Sequence, residues 1–323
     1  MKPVEEQQRK RVSKGIIFAC DSGEGFHPAT QVVAKGLLPV YDKPMVYYAV
    51  STLMLAGIRE ILVVSDSRNL TSFMELLGNG SRLAINISYA EQEKHKGAGG
   101  TLLTAQRFIG EDSVCLILVD DIFSGNLNVL RGFMEIQEGA TIFAADGRVS
   151  ERHGRVEFDT NGRALRLEEN ARNKSSAWAV PGLYVYDNRA IEIVELLTHM
   201  TGGRMGIMDV NRQYLLRGRL RVHKLPQEVE WLEVENESGL LEAANLVARW
   251  ERRHGAKVGC IEEAAFRMGY ISAERLEVLI RDFPEGGYRD YLARLAAESM
   301  AQKRKCAGKA TIESSVAVAS GVR

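Results

Sequence analysis

Three short runs in the first 120 residues are apolar at nearly every position, and few folds can accommodate them. Gly15-Ile16-Ile17-Phe18-Ala19-Cys20, Glu60-Ile61-Leu62-Val63-Val64 and Ser113 to Val119 lack the polar alternation of a half-exposed strand. Such runs belong to strands buried on both faces. Between them, Val46 to Ala56 (stopped by Gly57), Thr71 to Leu77 and Gly97 to Phe108 predict helices, and Ala84 to Ala90 a further strand. Strand and helix in alternation imply βαβ units, hence an α/β fold with a mixed, mostly parallel central sheet flanked by helices.

After Asp121 the rhythm changes. Leu130 to Ile136 predicts a helix, and Ala140 to Ala145 a strand. Arg155 to Asp159 and Ala164 to Glu168 predict a hairpin about Thr160-Asn161-Gly162-Arg163, and Trp178 to Tyr186 one more strand. A one-sided apolar helix is predicted over Ser238 to Arg253, with shorter helices after it. The expected organisation is an N-terminal arm over 1–13, a core over 14–250, a helical segment over 251–300 and a tail over 301–323.

Lys plus Arg and Asp plus Glu each total 42, so the formal charge is zero and no global field draws nucleic acid or an anionic membrane. No stretch of eighteen apolar residues occurs, and the first residues lack a signal-like apolar run. A cytoplasmic protein without nucleic-acid or membrane partners is the expectation. Cys20, Cys115, Cys260 and Cys306 lack metal-ligand spacing, and Cys20 and Cys115, in or beside apolar strand patterns, predict reduced core or site-wall thiols.

Ligands of open parallel sheets bind beyond the strands' carboxyl ends. Asp21-Ser22-Gly23-Glu24-Gly25 follows the first strand, and Gly23 and Gly25 would let backbone N–H groups approach an anion; an ordinary tight turn reads equally well. Lys35 is either a phosphate ligand or a lysine reaching past apolar neighbours to water. Asp120, ending the most apolar strand beside Asp121, is a candidate ligand for a hard divalent cation, or a cap. Gln92 could meet a base edge or sit in a solvated turn. Glu168-Glu169 forms a further acidic pair, and Glu233, Glu235 and Glu237 fit acids at a helix N-terminus. Asp146, His153 and Arg155 suggest either a substrate cover or solvated surface.

Several ordered segments sharpen this reading: LLPVYDKPMVYYAVSTLMLAGIREILVV from Leu37 to Val64, RVEFDTNGRALRLEEN, PGLYVYDNRA, DVNRQYLLRGRL, and WLEV followed by GLLEA. From about Ser13 to Tyr270 the chain resembles bacterial glucose-1-phosphate thymidylyltransferases. The resemblance implies a Rossmann-like nucleotidyltransferase (nucleotide-diphospho-sugar transferase) fold with an inserted sugar-site portion and C-terminal helices. It implies transfer of a nucleotidyl group from a nucleoside triphosphate (dTTP or UTP) to a sugar 1-phosphate, with Mg2+ assisting and pyrophosphate released. By the same resemblance Gly23 and Gly25 belong to the phosphate loop, Lys35 and Asp120 to the catalytic centre, and Gln92 and Gly97 to the pyrimidine site. Gly154, Glu169 and Val180 match the sugar pocket, and Asp120 with Glu233 the metal site. A homodimer or homotetramer is expected.

The departures cluster on phosphate-handling positions. Gly25 stands where the family's first loop has arginine, Asp21 where it has glycine, and Asn170 where it has the lysine of a glutamate-glutamate-lysine-proline segment. Asp121 replaces an asparagine, Glu233 an aspartate, and Arg204 and Gly206 two glutamates. Removing cations from a triphosphate site predicts lost or strongly reduced transfer, and a nucleotide- or sugar-sensing or partner-supporting role in place of turnover. The alternative is an active sugar-1-phosphate nucleotidyltransferase. On this account Gly25→Arg with Asn170→Lys should tighten phosphate binding.

Overall fold

The computed structural model describes residues 10–20, 23–93, 96–136, 138–146, 154–169, 178–201 and 205–301. Asp21, Ser22, Lys94, His95, His153, Asn170, Arg204 and Cys306 lie outside them. The described residues fall into two compact units, one within Met1–Ser81 and Ile85–Ile261, the other within Arg82–Ala84 and Glu262–Arg323.

In the first unit the apolar runs form the centre of a ten-stranded mixed sheet. Val114–Leu118, Lys14–Phe18, Glu60–Ser65 and Asn86–Glu91 lie side by side and parallel, in that spatial order. From Lys14–Phe18 the chain moves to one side, through Glu60–Ser65 to Asn86–Glu91, and then crosses back to Val114–Leu118 on the other. A crevice opens where neighbouring strands send their connections opposite ways, and here it opens above Phe18 and Leu118. The helix Met45–Leu55 is apolar on nearly all sides because it is buried on nearly all sides. Leu183–Tyr186 joins the edge of Val114–Leu118 antiparallel, followed by Ala140–Asp146, Trp178–Val180, Gly154–Phe158 and Ala164–Glu168; Leu220–Lys224 pairs parallel with Ala140–Asp146.

Several expectations shift. Residues 127–133 form a 3-10 turn rather than a helix, and Glu135–Ile136 pairs with Lys10–Arg11, while Val12 is buried; ordered chain therefore begins before residue 13. The single strand predicted over Trp178 to Tyr186 is two, interrupted at Pro181-Gly182. Among the strands that escaped the sequence reading are Asp121–Gly125 and Val229–Glu233, which pair antiparallel. The one-sided helix runs Glu237–His254, capped by the Asn236 side chain on the Gly239 N–H. A charge group, in which Lys43 is the buried member, ties it down. Lys43 pairs with Asp42 and Glu251, and Lys257 pairs with the same two acids.

In the second unit the helices Ile261–Arg267 and Ala273–Arg281 precede a helical stretch over 287–301. Among the described residues no helix is long and apolar enough to cross a membrane. Cys20, Cys115 and Cys260 are buried thiols that take part in no disulfide among the described residues.

Candidate active site

The crevice brings Lys35 and Asp120 together. Lys35 opens a 3-10 turn, Lys35–Leu37, and its side chain runs inward rather than out to water. The residue is 5% exposed, its Nζ lies 2.5 Å from Asp120 Oδ2, and the Phe26 ring centroid is 5.5 Å from the same ammonium. Asp120 follows the strand Val114–Leu118 and accepts the Val234 N–H on its backbone oxygen at 2.9 Å. That bond continues the ladder in which Glu233 stands opposite Asp121. Glu233 is therefore the last residue of a strand, not part of a helix N-terminus; of the three acids only Glu237 lies in the helix's first turn.

Asp121 is buried, with Oδ1 accepting the Gly182 N–H at 2.8 Å and the Trp231 indole N–H. Burial above all, then the neighbouring charges of Glu233 and Asp120, push its carboxyl well above the ordinary range, against those two hydrogen bonds. A raised folded-state value means the folded protein holds a proton that the unfolded chain releases. Stability from this group thus falls as pH rises from the ordinary carboxylate value through the folded one. Asp121→Asn keeps an acceptor for both donors and removes the titration. It is expected to raise the melting temperature more at about pH 8 than at about pH 5. A gain independent of pH, measured by calorimetry, would refute this.

Asp120 thus lies beside Lys35, and Glu233 stands opposite Asp121, the next residue along the chain. Among the described residues no group of three or more His, Cys, Asp or Glu has the arrangement to hold a metal ion. Both residues carry the hard oxygens that Mg2+ takes when substrate phosphates and water complete its shell.

Gln92 lies just beyond the strand Asn86–Glu91 and is 2% exposed, not in a solvated turn. Its Nε2 donates to the Gly97 carbonyl at 2.9 Å. Gly97 begins the helix Gly97–Thr104 at φ +64°, and a Cβ there would lie 2.7 Å from the Met205 carbonyl oxygen, so both conformation and space require glycine. Gly154 and Val180 are direct cross-strand partners. Glu169 follows Ala164–Glu168, and Arg212 lies 3.7 Å from its Oε2 while holding Asp209 at 2.7 Å. Burial, chiefly, raises the Glu169 carboxyl's pKa; Arg212 opposes the shift and Asp209 adds to it. Arg155 is buried, so it is not a solvated surface residue.

The structure corrects the account of Gly25. The residue lies in the 3-10 turn Glu24–Phe26, and a Cβ on it would fall 2.4 Å from the Glu235 carbonyl oxygen and 3.4 Å from Asn236 Cα. The space a side chain needs is occupied by backbone from the connector between Glu233 and the helix Glu237–His254. Gly25→Arg cannot simply restore a cation.

Sequence reasoning also missed Trp231, Arg212 and Thr104, which hold Asp121, Glu169 and Gln92 in place. Only Arg212 carried a local signal, its three-residue spacing from Asp209 on a helix. A cavity of about 1310 Å³ adjoins the site at Glu233, and its lining includes all three tryptophans, Trp178, Trp231 and Trp250.

Residues 14–249 match the nucleotidyl transferase family model. The chain belongs to this family. Among curated relatives, the glucose-1-phosphate thymidylyltransferase of Neisseria meningitidis serogroup A is 44% identical over 284 residues, covering 87% of this chain and 99% of the relative. That of Mycolicibacterium smegmatis is 43% identical over 87% and 98%. A solved Bacillus anthracis structure, described as a glucose-1-phosphate thymidylyltransferase in complex with a sucrose, superposes with a TM-score of 0.68 at 29% identity, covering 72% of this chain and 94% of that one. UDP-glucose pyrophosphorylase complexed with UDP-glucose shares the fold, with a TM-score of 0.64 at 22% identity over 75% and 100%. The nucleotidyltransferase fold expected from the sequence is borne out. The relatives favour the active-enzyme alternative over the silent reading.

Proposed function

We propose that the protein is an active sugar-1-phosphate nucleotidyltransferase, with dTTP and glucose 1-phosphate as its reactants. The observation that carries this is the meeting of Lys35 and Asp120 at the sheet's switch point, 2.5 Å apart and buried. In the reaction a phosphate oxygen of the sugar phosphate bonds to the α-phosphorus of the triphosphate, and the bond to pyrophosphate breaks. The chain's task is to align two anions and offset their charge, and Lys35 is the cation placed to do so. Asp120 and Glu233 would hold Mg2+, which supplies further positive charge at the phosphates when bound. Gly23 and Gly25 would border the phosphates, Gln92 and Gly97 the base, and Gly154, Glu169 and Val180 the sugar. A dimer or tetramer of identical chains in the cytoplasm belongs to the same proposal.

One observation favours a second reading, a silent homologue that senses a nucleotide or sugar or supports a partner enzyme. The Glu235 carbonyl fills the place beside Gly25 where a cation would otherwise enter the first loop. One experiment separates the two. Purified protein is incubated with Mg2+, dTTP or UTP, and glucose 1-phosphate, and pyrophosphate and nucleotide sugar are measured together. Turnover on the order of 1 s⁻¹ or faster, within the ordinary range for enzymes, is expected. Ligand binding without either product would establish the silent reading.

A further inference from the structure

The Lys35 ammonium and the Asp120 carboxylate neutralise one another at 2.5 Å, and the same ammonium lies over the Phe26 ring, 5.5 Å from its centroid. Both backbones are anchored. Asp120 O accepts the Val234 N–H at 2.9 Å, and Lys35 O accepts the Leu38 N–H at 3.0 Å. The lysine side chain is less constrained, because its ammonium rides on a flexible four-carbon stem. That stem is rooted beside the glycine loop: a Cβ built on Gly23 would lie 3.5 Å from Lys35 Cβ. Rotation of the stem is thus enough to move the ammonium from Asp120 toward the first loop with the backbone unchanged. The Asp120 side chain is 13% exposed against 5% for Lys35, so the acid keeps the greater access to an ion arriving from solvent.

A carboxylate already engaged by an ammonium is a poor metal ligand. A divalent cation must displace the amine or sit beside a like charge, and either weakens its binding. A phosphate lifts that obstacle by offering the ammonium a second anion, which lysine holds as a point charge. We propose that Lys35 is a latch on the metal site: with no phosphate bound, its ammonium occupies Asp120, and the acid takes up a divalent cation well only when phosphate draws Lys35 away. This rests on the nucleotidyltransferase reading, in which Asp120 meets Mg2+, and it adds the side chain that withholds the acid beforehand. Phosphate and metal then raise each other's affinity by one common factor, as linkage requires.

Metal affinity, measured without turnover, provides the test. Mn2+ alone, followed by the loss of its free paramagnetic signal, is titrated into the wild-type protein, Lys35→Met, Lys35→Arg, and Lys35→Met combined with Asp120→Asn. Lys35→Met should bind Mn2+ at least tenfold more tightly than wild type, on the order of one charge-assisted hydrogen bond that no longer has to be broken. Lys35→Arg keeps the charge and should stay within about twofold of wild type. The double variant should lose the gain, which places the ion on Asp120. Inorganic sulfate, a stand-in for phosphate that pairs weakly with the metal, should tighten Mn2+ binding to wild type and leave Lys35→Met unaffected. If Lys35→Met does not fold, Lys35→Gln, which keeps a hydrogen bond to the acid without the charge, takes its place. Equal or weaker Mn2+ binding by the uncharged variant, a gain that survives Asp120→Asn, or a sulfate response that the uncharged variant shares would each overturn the proposal. The expected metal pattern with no nucleotide sugar formed would sink only the transferase reading, and product formed without that pattern would sink only the latch.

Discussion

Replacement of Lys35 by methionine is expected to lower nucleotidyl transfer by about two to three orders of magnitude, the cost of removing one cation or donor aimed at developing phosphate charge. The same change leaves Asp120 buried beside an apolar side chain. Breaking a buried ion pair from one side costs about 3–5 kcal/mol, more than the pair itself contributes, because a desolvated charge is left uncompensated. The two effects separate in a double variant. Lys35→Met with Asp120→Asn should recover much of the stability in chemical denaturation and none of the activity. A single variant retaining a tenth of wild-type turnover would remove Lys35 from the chemistry.

Gly25→Arg is expected to weaken the protein rather than improve it. Forcing a side chain where a Cβ already lies 2.4 Å from a backbone oxygen requires the connector to move, at a cost of about 1–3 kcal/mol. For a chain of this size that corresponds to roughly 2–4 °C of melting temperature per kcal/mol. Glu235 lies two residues after Glu233, so its displacement should also disturb the carboxylate opposite Asp121 and reduce transfer at least tenfold, on the order of the effect of a misplaced catalytic group. Scanning calorimetry and a pyrophosphate-release assay test both parts. Tighter triphosphate binding with an unchanged melting temperature would contradict this and favour the simple charge-restoration account.

The parallel half of the sheet was legible because its strands are buried on both faces and so are apolar throughout: Ile16, Ile17, Val63 and Ile117 have no solvent-facing neighbours to break the run. The strands Asp121–Gly125 and Val229–Glu233 were hidden for the opposite reason. Each mixes acids with apolar residues over five positions, and their structure comes from pairing with each other across more than a hundred residues, which no local window registers. At the site, Lys35 and Asp120 could be picked out by residue type and place. Their mutual contact could not, because it depends on where the crossover returns the chain. The reading of Gly25 as a lost cation was sound as chemistry but lacked a spatial term: what occupies its neighbourhood is the backbone of residue 235, which has no sequence signature. Thr104 likewise looked like an ordinary helix residue until Gln92 was placed beside it.

The carbonyl seated over Gly25 also makes position 25 hard to enlarge. A side chain can rotate away from an intruder, but a peptide unit anchored between a paired strand and a capped helix yields only if its path is redrawn. Placing a large residue at position 25 would first need an altered connector that has no advantage until the new residue arrives. The two positions are thus bound in an order of events, and a descendant of this chain would more readily recruit a cation from a different element than gain one here.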